Sequence, residues 1–169
     1  MIKIIDNVLP QNTLEYIYTT ITTDTIWSLS MASSFEADFR IAGRVLYEPK
    51  NNINVKCDSK TLAIVIFKII QSKANFLTDR VKRIHLGAKA ALQDDIKHKD
   101  CEDYENNTTV LFYLNTDWNK KWGGETIVGD KKIEYKPNRA VIYDSKIIHG
   151  GLAPKVPKFR TYINYVVEK

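Results

Sequence analysis

The chain has 169 residues, 44% of them hydrophobic and 27% charged, which suits one domain with its own core, divided into N-terminal strand-and-helix support (1–79) and a β-rich core (80–169). The net charge of +5 comes from 25 Lys and Arg scattered along the chain rather than massed in a block, which makes nucleic acid the less favoured partner. The longest apolar run, Leu62 to Phe67, is far too short to span a bilayer, the N-terminus has no apolar core of a targeting segment, and two cysteines without metal-knuckle spacing fit a reducing cytoplasm.

Ile2, Ile4, Ile5 and Val8 suggest a short strand that Pro10 stops. Asn12 or Thr13 is then placed to cap a helix carrying Leu14, Ile17, Tyr18 and Ile21 on one face. A strand is expected from Trp27 to Ala32. Residues 33–53 read as irregular, with Gly43, Pro49 and Asn51-Asn52 marking turns. Asp58 is a good cap for a helix over about 59–78, in which Leu62, Val65, Ile66, Ile69, Ile70, Phe76 and Leu77 recur near helical spacing.

From Arg80 onward the period becomes alternating. Candidate strands cover 81–88, 96–99, 108–115, 125–128, 132–136, 139–144, 147–150 and 159–167. Short strands of this number preceded by helices suggest a mainly β fold with a double-stranded β-helix, or jelly-roll, core. Such a barrel is wide enough inside for a small ligand.

Within this core, His98-Lys99-Asp100 places two metal-binding side chains on one face of an extended chain, because residues two apart point the same way. His149 on a distant strand would complete two imidazoles and one carboxylate, with open positions on the ion. That donor set suits non-haem Fe(II), whereas structural zinc sites are closed. Arg160 opens a β-branched and aromatic segment running to Val167, and its planar fork is suited to gripping the far end of a dicarboxylate. Alternation puts Tyr162 and Asn164 on the same face, so Asn164 is placed to add a hydrogen bond near Arg160. His85 reads as a core or rim residue rather than a ligand.

His98-x-Asp100, Tyr113-Leu114-Asn115, Trp122-Gly123-Gly124-Glu125-Thr126, Pro137, His149-Gly150-Gly151 and Arg160, taken together, resemble the 2-oxoglutarate and Fe(II)-dependent oxygenases, in their prolyl 4-hydroxylase-like branch. The resemblance covers roughly residues 83–167 and the opening Ile2 to Pro10. It implies a jelly roll in which His98, Asp100 and His149 hold Fe(II) and act in catalysis. It further implies that Arg160 and Tyr113 bind 2-oxoglutarate, with Thr126 lining that pocket. The implied reaction consumes O2, releases succinate and CO2, and hydroxylates a C–H bond, with ascorbate a candidate additional cofactor. A peptide or protein substrate follows from the prolyl branch. Collagen-type prolyl hydroxylases carry Lys at the Arg160 position, and the oxygen-sensing type carries Arg, as here. The nucleic-acid demethylase branch pairs its clamp with a second Arg where this chain has Val166, which ranks that alternative lower. A metal-binding or ligand-binding jelly roll without turnover is the remaining alternative. Substrate contacts are expected from loops 33–53 and 101–107, and the sequence sets no oligomeric state.

Overall fold

The computed structural model describes residues 1–25, 27–31, 41–75, 77–95, 97–100 and 106–169. Eleven strands and two α-helices are found among these residues. β1 (Ile2–Ile5), α1 (Gln11–Asp24), β2 (Ser28–Met31), β3 (Ile41–Glu48), β4 (Ile53–Asn54) and α2 (Asp58–Ala74) form the N-terminal part. β5 (Val81–Lys89), β6 (Asn107–Tyr113), β7 (Thr126–Val128), β8 (Lys131–Ile133), β9 (Ala140–Asp144), β10 (His149–Gly151) and β11 (Arg160–Glu168) follow. The larger sheet runs β1-β9-β6-β11-β5-β3-β2 with β4 on β3, and the smaller runs β10-β7-β8. All pairings are antiparallel. An isolated bridge between His98 and His149 extends the smaller sheet by one more segment. This arrangement is the expected jelly roll.

Alternation along β5 and β11 divides the protein into two interiors. Ile84 and Leu86 of β5 and Ile163, Tyr165 and Val167 of β11 face outward into a cluster with Leu14, Ile17 and Ile21 of α1 and Ala63, Ile66, Phe67 and Ile70 of α2. The buried positions of α2 recur at helical spacing, so one stripe of that helix seals the sheet's outer face. Tyr165 Oη donates to the Ala63 carbonyl at 2.7 Å, tying sheet to helix. The opposite face of the same strands carries Lys89, Gly87, His85 and Arg83 on β5, in register with Arg160, Tyr162, Asn164 and Val166 on β11. That face looks into the barrel.

Several expectations are corrected. Residues 41–48 form a strand in the larger sheet instead of irregular chain: Leu46 is fully buried, and Gly43 pairs across from Gly87 in the ladder rather than marking a turn. α1 is entered from Pro10, whose carbonyl accepts from Leu14 N; neither Asn12 nor Thr13 is the cap residue, although Asn12 Oδ1, inside the first turn, accepts from Thr13 N at 2.8 Å. α2 starts after Cys57 without a side-chain cap of its own. Asp24 at the end of α1 supplies that group, its Oδ2 accepting from Ser59 N at 3.3 Å and Ser59 Oγ at 3.0 Å. The helix ends at Ala74 because Asn75 turns left-handed, with φ of 65°. Among the described residues of segment 96–99, only His98 is bridged to a neighbour; residue 96 lies outside the described residues. Ala32, residues 33–40 and residues 101–105 of the expected substrate loops, and Cys101, lie outside the described residues. Among the described residues, no helix is long and apolar enough to cross a membrane.

Candidate metal centre

A cavity of about 180 Å³ opens into the barrel and is lined by residues from both sheets, among them His98, Asp100, His149, Thr126, Arg160 and Asn164. His98, Asp100 and His149 converge, with their ligand atoms all within 4.8 Å of one another. His149 Nε2 lies 3.3 Å from Asp100 Oδ2, and His98 Nε2 lies 4.0 Å from Asp100 Oδ1. The His149 ring is oriented by its other nitrogen: Nδ1 donates to the Ile147 carbonyl at 2.9 Å, which leaves Nε2 facing Asp100. Two imidazoles and one carboxylate fit Fe(II), and the open cavity beside them leaves room for exchangeable ligands.

Asp100 is almost fully buried, and burial by itself favours its neutral acid. Hydrogen bonding and charge from His149, the Arg83 charge and a hydrogen bond from Asn164 outweigh this and hold its carboxyl well below the usual carboxylate range. Burial pulls the His149 pKa down, but Asp100 and the Ile147 carbonyl push it up on balance.

At another part of the cavity Arg160 is 1% exposed. Its Nε donates to the Gly124 carbonyl at 2.7 Å and its Nη2 to Thr126 Oγ1 at 2.8 Å, while Tyr113 Oη shares a 2.7 Å hydrogen bond with the same Thr126 oxygen. The guanidinium carbon sits 5.0–5.4 Å from the ring centres of Tyr113, Tyr135 and Tyr162. Among the described residues no carboxylate lies within salt-bridge distance of it. A buried cation held only by neutral acceptors and aromatic faces is arranged for an anionic ligand. Arg160, Tyr113 and Thr126 are thus brought together as one cluster. Gly124, at φ of +81°, permits this approach, since a Cβ there would stand 3.3 Å from the Arg160 side chain.

Asn164 is placed elsewhere than expected. Its Nδ2 donates to Asp100 Oδ2 at 3.1 Å and its Oδ1 accepts from Arg83 at 3.3 Å, so it serves the carboxylate and not Arg160. His85 lines the cavity but stands outside the metal-binding group. Burial and the neighbouring Arg83 push its pKa down to about 3, so the imidazole is neutral, and its Nε2 has no hydrogen-bond partner among the described residues. Trp118 and Trp122 are structural: Trp118 Nε1 donates to the Gly123 carbonyl at 2.9 Å, and its ring packs against Tyr135 and Trp122.

Sequence reasoning missed three charged participants. Arg83 grips Asp100, and a buried pair of Lys89 and Asp95 lies beside Arg160, with Asp95 also accepting from Gly151 N at 2.7 Å. The available signal was strand period: Arg83, His85, Gly87 and Lys89 share the face on which Arg160 was already placed. Burial lowers the Lys89 pKa, with the Asp95 charge opposing.

The model of the 2OG-Fe(II) oxygenase superfamily matches residues 81–166, just over half of the chain. No curated protein sequence matches. Solved structures similar in fold include a Trichoplax adhaerens prolyl hydroxylase in complex with a hypoxia inducible factor oxygen degradation domain peptide fragment (TM-score 0.70, 16% identity, 99% of this chain and 83% of that one). A Burkholderia pseudomallei oxidoreductase of the 2OG-Fe(II) oxygenase family aligns with a TM-score of 0.74 at 13% identity, over 99% and 84% of the two chains. The carbocyclase SnoK from nogalamycin biosynthesis, a non-haem alpha ketoglutarate dependent enzyme, aligns with a TM-score of 0.71 at 12% identity, over 99% and 79%. With the jelly roll, the clustered His98, Asp100 and His149, and the family match in place, the chain belongs to the 2OG-Fe(II) oxygenase superfamily.

Proposed function

We propose that this protein is an Fe(II)- and 2-oxoglutarate-dependent dioxygenase that hydroxylates a prolyl residue of a peptide or protein. The observation that carries the dioxygenase reading is the sharing of one cavity by the His98, Asp100 and His149 group and by the buried Arg160, which has no ion pair among the described residues. His98, Asp100 and His149 hold the metal. Arg160 Nη1, not used by Gly124 or Thr126, takes the distal carboxylate of 2-oxoglutarate, with Thr126 and Tyr113 fixing the fork. Bound Fe(II) supplies the oxidative chemistry, in which O2 and 2-oxoglutarate yield succinate, CO2 and a hydroxylated product. Leu111, Val45 and Tyr143 give the cavity apolar wall that limits water around the reacting groups.

The prolyl assignment is supported by the fold shared with the Trichoplax adhaerens enzyme and by Arg at position 160. The carbocyclase of similar fold sets the competing outcome, a small-molecule substrate. The test is anaerobic loading with Fe(II) and 2-oxoglutarate, exposure to air with and without ascorbate, and measurement of succinate. A peptide library in the same reaction, read by mass spectrometry, should gain one oxygen on proline. Succinate release with oxygen gained only on another residue, or only on small molecules, would reject the prolyl reading and leave the dioxygenase reading standing.

A further inference from the structure

We propose that Arg83 is a positioning residue that tunes the metal-holding carboxylate, keeping the bound iron ferrous. This inference rests on the metal site proposed above. The Arg83 fork clasps one residue twice: Nη2 donates to Asp100 Oδ1 and Nη1 to the Asp100 backbone carbonyl, both at 2.9 Å. On the other carboxylate oxygen, Oδ2 accepts from Thr109 Oγ1 at 2.8 Å and from Asn164 Nδ2 at 3.1 Å. Thr109 is itself held by Ser145 Oγ at 2.8 Å, and Asn164 Oδ1 accepts from Arg83 at 3.3 Å, so the donors brace one another.

Two consequences follow from this cage. A carboxylate has about four lone-pair directions; Arg83, Thr109 and Asn164 use three of them and the His149 imidazole stands 3.3 Å from Oδ2, so the carboxylate is held in one orientation. The second consequence is electrostatic. The Asp100 side chain is 5% exposed and that of Arg83 22%, so their charges act on each other through a medium far less screening than water. A guanidinium on the ligand oxygen withdraws electron density from the donor and offsets its negative charge. Ferric iron loses more from that than ferrous iron, because its higher charge depends more on the anionic ligand. The potential of the bound couple is therefore raised, and the resting ferrous site resists oxidation before both substrates have bound.

The geometry of the barrel explains why the residue comes from β5. Arg83 is in register with Val166 of β11, on the strand face that looks into the barrel, and from there its guanidinium reaches Asp100. Nη1 and Nη2 are committed to Asp100, while Nε is buried with no hydrogen-bond partner among the described residues. The side chain thus accepts a local cost to keep its two-pronged contact, as a group selected for charge placement would.

The experiment compares wild type, Arg83→Lys and Arg83→Met, each loaded anaerobically with Fe(II) and checked for fold by thermal melting. Mediator-based redox titration, with the ferric signal followed by electron paramagnetic resonance, reads the potential without any turnover. Arg83→Met should shift the midpoint to a more negative potential and oxidise several-fold faster in air without 2-oxoglutarate. Arg83→Lys keeps the charge and should stay close to wild type. Equal potentials in all three, or a Lys variant as easily oxidised as the Met variant, would overturn the inference. Wild-type protein that takes up no iron would overturn the proposed function with it, whereas normal iron uptake with an Arg83-independent potential would remove only the role given to Arg83.

Discussion

His98 and His149 are bridge partners: each donates its backbone N–H to the other's carbonyl, at 2.8 and 2.9 Å, and the two imidazoles end with centroids 4.8 Å apart. The spacing of the two candidate nitrogen ligands is therefore set by a backbone bridge to the edge of the smaller sheet. Replacing His149 with Ala should leave this bridge intact, because only backbone atoms make it, while removing a proposed ligand. Loss of a group orienting a ligand typically costs 10- to 100-fold in metal affinity, so loss of the ligand itself should exceed about 100-fold. Anaerobic titration with Fe(II) or Co(II) checks this, and unchanged uptake by the variant would remove His149 from the site.

Arg160→Gln keeps a hydrogen-bonding side chain but loses the charge and the fork. Charge-assisted hydrogen bonds contribute about 1.5–3 kcal/mol, which is roughly 10- to 100-fold in affinity. The expected result is weaker 2-oxoglutarate binding with metal uptake preserved, read by calorimetry on protein loaded with a redox-inert divalent metal. Metal affinity falling in parallel would indicate a collapsed cavity instead of a lost clamp.

His85 gives a pH prediction with a definite sign. Its folded pKa of about 3 lies below the ordinary value of 6.5, so between these values the unfolded chain binds a proton that the folded chain does not. Stability should fall as pH drops through that window, with a slope approaching ~1.4 kcal/mol per pH unit from this residue. Denaturant unfolding from pH 7 to 4 should show a shallower acid dependence in His85→Leu than in wild type. Identical slopes would place the imidazole in contact with solvent.

Gly87 offers a test of packing above the cavity. A Cβ built there would lie 2.3 Å from Tyr162 Cζ and 2.5 Å from its hydroxyl, because the ring leans across the glycine. Gly87→Ala should cost about 1–3 kcal/mol as an overpacked substitution. Tyr162→Leu in the same chain should recover part of that loss, and an unaltered melting temperature in Gly87→Ala would mean the ring moves aside freely.

The sequence was most legible where period and motif agreed. Strand alternation located β5, β6, β9 and β11 to within a few residues, and the His98, Asp100, His149 group came together as expected. β3 was not legible, because Gly43, Pro49 and the asparagines look like turn residues and nothing local records that Gly43 faces Gly87 across a ladder. The misplacement of Asn164 has a related cause. Alternation says which face a side chain occupies but not which neighbour it meets along that face, and the Asp100 carboxylate arrives from the other sheet. Arg83 and Lys89 escaped notice because charged residues near strand ends usually face solvent, although their period puts them on the face that carries Arg160; Asp95 lies outside the strands, where period gives no signal.

Strand β11 lies between β5 and β6, and it carries both Arg160 and residues that pack on the helices. A chain cut before Arg160 would leave the facing edges of β5 and β6 with nothing between them. Such edges are ready templates for a wrong strand. The truncated form should therefore aggregate where the longer chain stays monodisperse, which light scattering would read.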